Sequence, residues 1–162
     1  MIMELREMRS KDHAITELSK IAEVLSRCDC CRVGFADQGD VYIVPLNFGY
    51  DWSGEGCTLY FHGAKAGRKW ELLQTSPTVG IELDCGYALM RADTACAHAA
   101  HFQSIIGTGR AEIIEDESQQ RHALDALMRH AAGKGGWEIP AAALKSTCVF
   151  KVTVETLSCK QY

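Results

Sequence analysis

The sequence has no basic excess, no long apolar run and no leader-like start, and each absence removes a class of function. Seventeen Lys and Arg against 21 Asp and Glu leave a net charge of −4, so overall charge does not draw the chain to nucleic acid or an anionic membrane. Its apolar runs are too short to span a bilayer. Residues 1–12 carry Glu4, Arg6, Glu7, Arg9, Lys11 and Asp12, where a secretory signal would need an apolar stretch. The chain therefore reads as cytoplasmic, with no nucleic-acid or membrane partner. There is no internal repeat and no low-complexity linker, and 162 residues suffice for one ordinary core. Residues 1–162 are read as a single domain.

What is present is an ordinary globular mixture, 47% apolar and 23% charged, which argues against disorder and against a coiled coil. Eight cysteines, at 28, 30, 31, 57, 85, 96, 148 and 159, would suit a disulfide framework in a small exported domain. Without an export signal, reduced thiols are the expectation.

Periodicity outlines the elements. Leu18, Ile21, Ala22 and Leu25 follow helical spacing over residues 16–27, with Thr16 as a possible cap. Cys31, Val33 and Phe35 alternate with Arg32 and Gly34, and Asp37-Gln38-Gly39-Asp40 then turns the chain into a second β-rich run over 41–50. Pro45 inside that run cannot donate to a ladder, so it belongs at an edge, a bulge or a break. A strand over 58–62 feeds a helix over 65–74 that Ser76-Pro77 stops, and a strand over 79–83 follows. Residues 84–101 show no clear period. A β-like run over 102–114 precedes a helix that Asp116 would cap, a loop over 133–140 and a closing strand over 147–157. Hairpin-linked strands with few internal helices favour an α+β, mainly β fold: a small antiparallel barrel with helices packed outside.

One segment concentrates charge at a turn. After Leu59-Tyr60-Phe61-His62-Gly63 come Lys65, Arg68 and Lys69, three cations where a helix begins and where the helix dipole disfavours them. An anion such as a phosphate would relieve that placement; a solvated basic face with Glu71 as partial compensation explains it equally well. His62, at the mouth of this turn, is either a titrating donor to a bound group or a plain capping residue. Gly107-x-Gly109 lacks the third glycine of a dinucleotide fingerprint and sits in a β-like run, which points to strand packing or a bulge. Gly133-Lys134-Gly135-Gly136 lacks the spacing of a P-loop. Cys28, Cys30, Cys31, Cys96, His98 and His101 supply enough ligands for zinc, but their spacing is poor and Cys28-x-Cys30-Cys31 straddles a helix-to-strand transition. Buried reduced thiols are the simpler reading.

Three segments, in order, resemble the flavin-binding split barrels related to pyridoxamine 5′-phosphate oxidase, and most closely their nitroimidazole-resistance type. They are Val44-Pro45-Leu46-Asn47-Phe48-Gly49-Tyr50; Leu59-Tyr60-Phe61-His62-Gly63-Ala64 with Gly67-Arg68-Lys69; and Phe102-Gln103-Ser104-Ile105-Ile106-Gly107-x-Gly109-Arg110-Ala111. The resemblance implies a split β-barrel holding FMN. It places Pro45, Leu46 and Asn47 along the flavin ring and Lys65, Arg68 and Lys69 at the phosphate. Gln103 and Ser104 would contact flavin across a homodimer interface, and His62 would lie beside the flavin as the substrate-side, catalytic residue. It implies an oxidoreductase passing electrons to a small-molecule acceptor such as a nitroaromatic. No second basic cluster is present for a substrate phosphate, so vitamin B6 oxidation fits less well. Two alternatives remain at this level: a flavin- or haem-binding module without turnover, and a zinc-stabilised interaction protein.

Overall fold

Apolar and polar side chains alternate along several runs of this chain, and the fold is accordingly built mainly from strands. The computed structural model describes residues 2–162. Short strands β1 (Glu4–Leu5) and β2 (Ala14–Ile15) lead to helix α1 (Leu18–Arg27), the hairpin β3 (Cys31–Asp37) and β4 (Asp40–Leu46), then β5 (Gly49–Trp52), β6 (Cys57–Ala64) and α2 (Arg68–Thr75). A long hairpin, β7 (Thr78–Met90) and β8 (Ala99–Ile113), is followed by α3 (Glu117–Ala132), α4 (Ala141–Ser146) and β9 (Thr147–Gln161).

The strands form one sheet in the order β4-β3-β7-β8-β9-β6-β5, with every neighbouring pair antiparallel. β4 and β5 each have a single partner, so the sheet stays open between them, a split barrel as expected. β1 and β2 add to β9. Inside lie Ile21, Val24 and Leu25 of α1, Val33, Phe35, Leu59, Leu83, Ile105 and Val152, with Phe61 stacked on Phe150 at 5.0 Å between ring centroids.

Local chemistry accounts for the details. Pro45 pairs only with Arg32, on the outermost strand, where its missing N–H costs no ladder bond. The run over 41–50 divides into β4 and β5 at Asn47-Phe48. Asp116 caps α3 by accepting from the Gln119 N–H at 2.9 Å, and Gly133 at φ +67° ends that helix. α3 lies against β5 and β6, so close to Gly49 that a Cβ there would stand 2.5 Å from Leu127 Cα. Gly107 and Gly109 are buried, and between Thr108 and Gly109 the pairing of β8 with β9 slips by one residue, leaving Glu155 unmatched. The two glycines thus pack within a strand opposite a bulge in β9, in keeping with the expectation of strand packing or a bulge rather than a nucleotide loop.

Several boundaries differ from the sequence reading. α1 begins at Leu18 with Glu17 at the cap position and no side-chain cap, so Thr16 lies outside it. α2 begins at Arg68 rather than Lys65, because Gly67 at φ +83° sets the chain's entry into the helix. Residues 84–101 are the outer half of the β7–β8 hairpin and a 3-10 turn at Ala95–Ala97. The closing strand runs to Gln161, and α4, β1 and β2 were not anticipated.

Candidate functional site

The turn after β6 places its three cations differently from one another. Arg68 is held by two carboxylates: Nε donates to Asp37 Oδ2 at 2.7 Å, Nη2 donates to Asp37 Oδ1, and Nη1 donates to Glu71 Oε2 at 2.8 Å. It ties α2 to the β3–β4 turn and brings little free charge. Lys65 precedes the helix and donates to the Lys145 carbonyl at 2.7 Å. The three therefore do not share one helix face.

Lys69 is the exception. Its side chain folds back over β6, with the ammonium 5.8 Å above the Phe150 ring and Cε 3.1 Å from where a Cβ on residue 63 would stand. Only glycine at 63 leaves that space. Among the described residues no carboxylate pairs with Lys69, and burial pushes its pKa down. His62 also has its pKa lowered, first by burial and then by the Lys69 cation. Both causes favour the neutral imidazole, which lies on the exposed face of β6.

The remaining expected residues lie at the other end of β3 and β4. Cys31 pairs with Leu46 and Leu83, whereas Asp37 meets Arg68. Six strand steps of roughly 3.3 Å put these ends roughly 20 Å apart. Strand phase divides this second group. Leu46 and Gln103 share the inward face of Leu83 and Ile105, while Pro45 and Ser104 face outward. Asn47 is exposed beside a cleft of about 190 Å³ shared with Asp29, Phe48 and His130. The structure thus brings the nine expected residues together as two groups, a cationic turn and a polar rim.

Other features were not read from the sequence. Gln103 Oε1 accepts from Arg27 and lies 3.9 Å from the Cys85 thiol, while Gln103 Nε2 donates to Gln161 at 3.3 Å. On the α3 side, Asp51 Oδ2 lies 2.6 Å from His122 Nε2 and accepts from the Tyr60 hydroxyl at 2.9 Å. Burial alone would raise the Asp51 pKa, but these two hydrogen bonds, together with the nearby charges of His122 and Arg129, outweigh it and the pKa is lowered. Such contacts join residues 71 and 76 positions apart, and no local spacing signals them. The outward face carries Val41, Ile43 and Ile106, 71%, 63% and 58% exposed, flanking the flat glycines Gly34 and Gly80 that pair beside Ile43. All eight cysteines are free, and among the described residues no group of three or more His, Cys, Asp or Glu is arranged to hold a metal ion. Among the described residues no helix is long and apolar enough to cross a membrane.

Residues 17–161 match the family model described as pyridoxamine 5′-phosphate oxidase. The chain belongs to the pyridoxamine 5′-phosphate oxidase-like family. Among solved structures it is similar to a candidate 5-nitroimidazole antibiotic resistance protein from Bacteroides thetaiotaomicron, with 34% identity, 91% of this chain and 86% of that chain covered, and a TM-score of 0.79. It also resembles the flavocytochrome Anf3 from Azotobacter vinelandii, at 22% identity over 97% of this chain and 72% of that one, with a TM-score of 0.77. An FAD- and haem-binding protein from Mycobacterium smegmatis is 15% identical over 92% of this chain and 73% of that one, with a TM-score of 0.74. The last two share the fold with this chain. No curated protein matches it. Family membership accounts for the open barrel.

Proposed function

We propose that this protein is an FMN-binding oxidoreductase that acts as a cytoplasmic homodimer and reduces small acceptors, nitroaromatics of the 5-nitroimidazole type among them. The observation that carries the reading is Lys69, a partly buried ammonium with no carboxylate partner among the described residues. Desolvating a cation without a counter-charge is unfavourable, and a phosphate at the α2 turn removes that penalty. When bound, FMN supplies a two-electron carrier whose chemistry is its own, and the protein orients it and sets its surroundings.

The chain's residues then divide the work. Lys69, with Lys65 beside it, binds the phosphate, and Gly63 keeps the space into which Lys69 folds. Arg68 fixes the turn through Asp37 and Glu71. The backbone of Pro45, Leu46 and Asn47 runs along the ring end at the open edge. His62, neutral at neutral pH, offers a hydrogen-bond donor to an acceptor molecule without adding charge. The exposed apolar face of Val41, Ile43 and Ile106 supports burial against a second copy, which would complete the ring end with Gln103 and Ser104. The eight thiols stay reduced in a cytoplasmic setting.

Purified protein tests the reading. The expected result is a flavin absorption spectrum, release of FMN on heating, and reoxidation of the chemically reduced protein by a 5-nitroimidazole under anaerobic conditions. A colourless protein that takes up no added FMN overturns the reading. Bound flavin that no acceptor reoxidises would make the protein a flavin-binding module without turnover. Ile43→Glu should convert a dimer to a monomer on size-exclusion chromatography with light scattering.

A further inference from the structure

On the outer face of β6, beneath α3, two side chains meet on one carboxylate oxygen. Asp51, paired with Thr58 across the β5–β6 ladder, reaches diagonally to Tyr60, and its Oδ2 lies 2.9 Å from the Tyr60 hydroxyl and 2.6 Å from His122 Nε2. The Tyr60 and His122 rings meet edge to face, 5.6 Å between centroids. Lys151 stands directly opposite Tyr60 in the β6–β9 ladder, and Tyr60 packs against the small buried cluster of Ile114, Ala123 and Val149. Tyr60, Ile114, His122 and Lys151, with Ser118 and Gln119 of the first turn of α3, line a cleft of about 300 Å³. None of the residues expected at the flavin lines it.

From this arrangement we infer that the cleft binds a small hydroxylated aromatic carboxylic acid, its carboxylate on Lys151 and its hydroxyl on His122. An ionised carboxylate only accepts hydrogen bonds, and Asp51 is the ionised partner here, its pKa being lowered. His122 therefore keeps a proton on Nε2, and the neutral ring is left with a bare Nδ1, an acceptor for a ligand hydroxyl. Asp51 holds the imidazole from one side and the Tyr60 ring from another, so that acceptor has a fixed direction. Lys151 supplies the charge. Its ion pair with Glu112, its neighbour on β8, is 3.4 Å long and reaches a mostly exposed carboxylate. Water screens such a contact, and an ammonium has three donors to share.

The acidic residues around the cleft set the ligand's charge. Asp116 accepts from the Ser118 hydroxyl and the Gln119 N–H, Glu117 is held by Arg121, and Glu112 faces Lys151. A doubly charged phosphate would meet this ring of carboxylates with one lysine to offset them, whereas a single carboxylate matches the single cation. The shape of the ligand follows from where the two polar groups stand. Lys151 reaches the cleft from the neighbouring strand and His122 from the helix above, so they flank Tyr60. A flat ring carrying an acid at one end and a hydroxyl at the other spans them, covers Tyr60 and Ile114, and has few torsions to lose on binding. The inference rests on the α3 side of the sheet and does not depend on bound flavin.

The test is an NMR titration of the full chain, as purified, with 4-hydroxybenzoate, benzoate and phenol. Saturable shifts centred on Tyr60, His122 and the first turn of α3 are expected with 4-hydroxybenzoate. Phenol, which lacks the carboxylate, should bind about tenfold more weakly, and benzoate, which lacks the hydroxyl, several-fold more weakly, the scale of one charged and one neutral hydrogen bond. Lys151→Met should erase the advantage of 4-hydroxybenzoate over phenol, and His122→Phe its advantage over benzoate. No saturable shift, equal affinity for the three probes, or shifts centred on His62 and residues 44–47 would each overturn the inference. The comparison of the three probes on the unsubstituted protein decides the matter even where a variant fails to fold.

Discussion

The ammonium of Lys69 occupies the space that any side chain on residue 63 would need, so Gly63 and Lys69 form a matched pair across the β6–α2 turn. The glycine here matters for the volume it leaves empty. Most of the cation's environment follows from that one absence: its fold-back over Phe150 and its partial burial.

Gly63→Ala is therefore expected to keep the fold, because the obstructing atoms are the far end of a flexible side chain, and to weaken FMN binding by displacing Lys69. Lys69→Ala should lower FMN affinity by roughly 10- to 100-fold, the scale of one charge-assisted hydrogen bond of about 1.5–3 kcal/mol. Arg68→Ala should change affinity far less and instead loosen the β3–β4 turn that its Asp37 contacts hold. Flavin-fluorescence titrations of the three variants, with hydrogen exchange at residues 37–40, distinguish these outcomes. Equal losses for Arg68→Ala and Lys69→Ala would contradict the division of roles.

His62 should titrate below the ordinary histidine value of about 6.5, since burial and Lys69 both disfavour its charged form. In the window between the folded and ordinary values the unfolded chain binds a proton that the folded chain refuses, so stability falls as pH drops through that window. NMR titration of the ring should show the midpoint rising in Lys69→Ala yet staying below the ordinary value, because burial is the larger cause.

Asp51 behaves as a carboxylate with a depressed pKa. The stability it contributes is present above about 3.9, the unfolded value, and is lost as pH falls through the lower folded value. Asp51→Asn should cost about 1 kcal/mol at neutral pH, a small figure because the carboxylate is half-exposed. It should also flatten the acid limb of the unfolding profile. Urea melts at a series of pH values measure both effects.

Gly49→Ala drives a Cβ into the α3 backbone, 2.5 Å from Leu127 Cα, and backbone cannot step aside as a lysine tip can. A loss of about 3 kcal/mol is expected in denaturant melts. Gly80→Ala, which meets nothing within 4 Å, is the matched control and should stay within about 1 kcal/mol.

Legibility in the sequence followed the range of the interactions. The β3–β4 hairpin, the edge position of Pro45 and the Asp116 cap are local events, written within a few residues, and they stand where periodicity and turn chemistry put them. The three-segment resemblance carried the open barrel. What escaped was long-range: Arg68 looked like a free cation until Asp37, 31 positions away, was seen to hold it, and no local spacing announced that Arg27 and Cys85 share the Gln103 oxygen. Asp84–His101 hid a strand because the arm it forms is exposed on both sides, and alternation has no meaning without a buried face.

The unmatched Glu155 decides more than local shape. Before it, Val152 and Val154 face the core; after it, Leu157 and Cys159 do, so even positions give way to odd ones at a single residue. β9 is two half-strands written in opposite phase and joined by one spacer. Removing that spacer would turn every side chain of one half inside out, sending Leu157 and Cys159 into water and Thr156 and Ser158 into the core, a greater injury than the loss of any one of them.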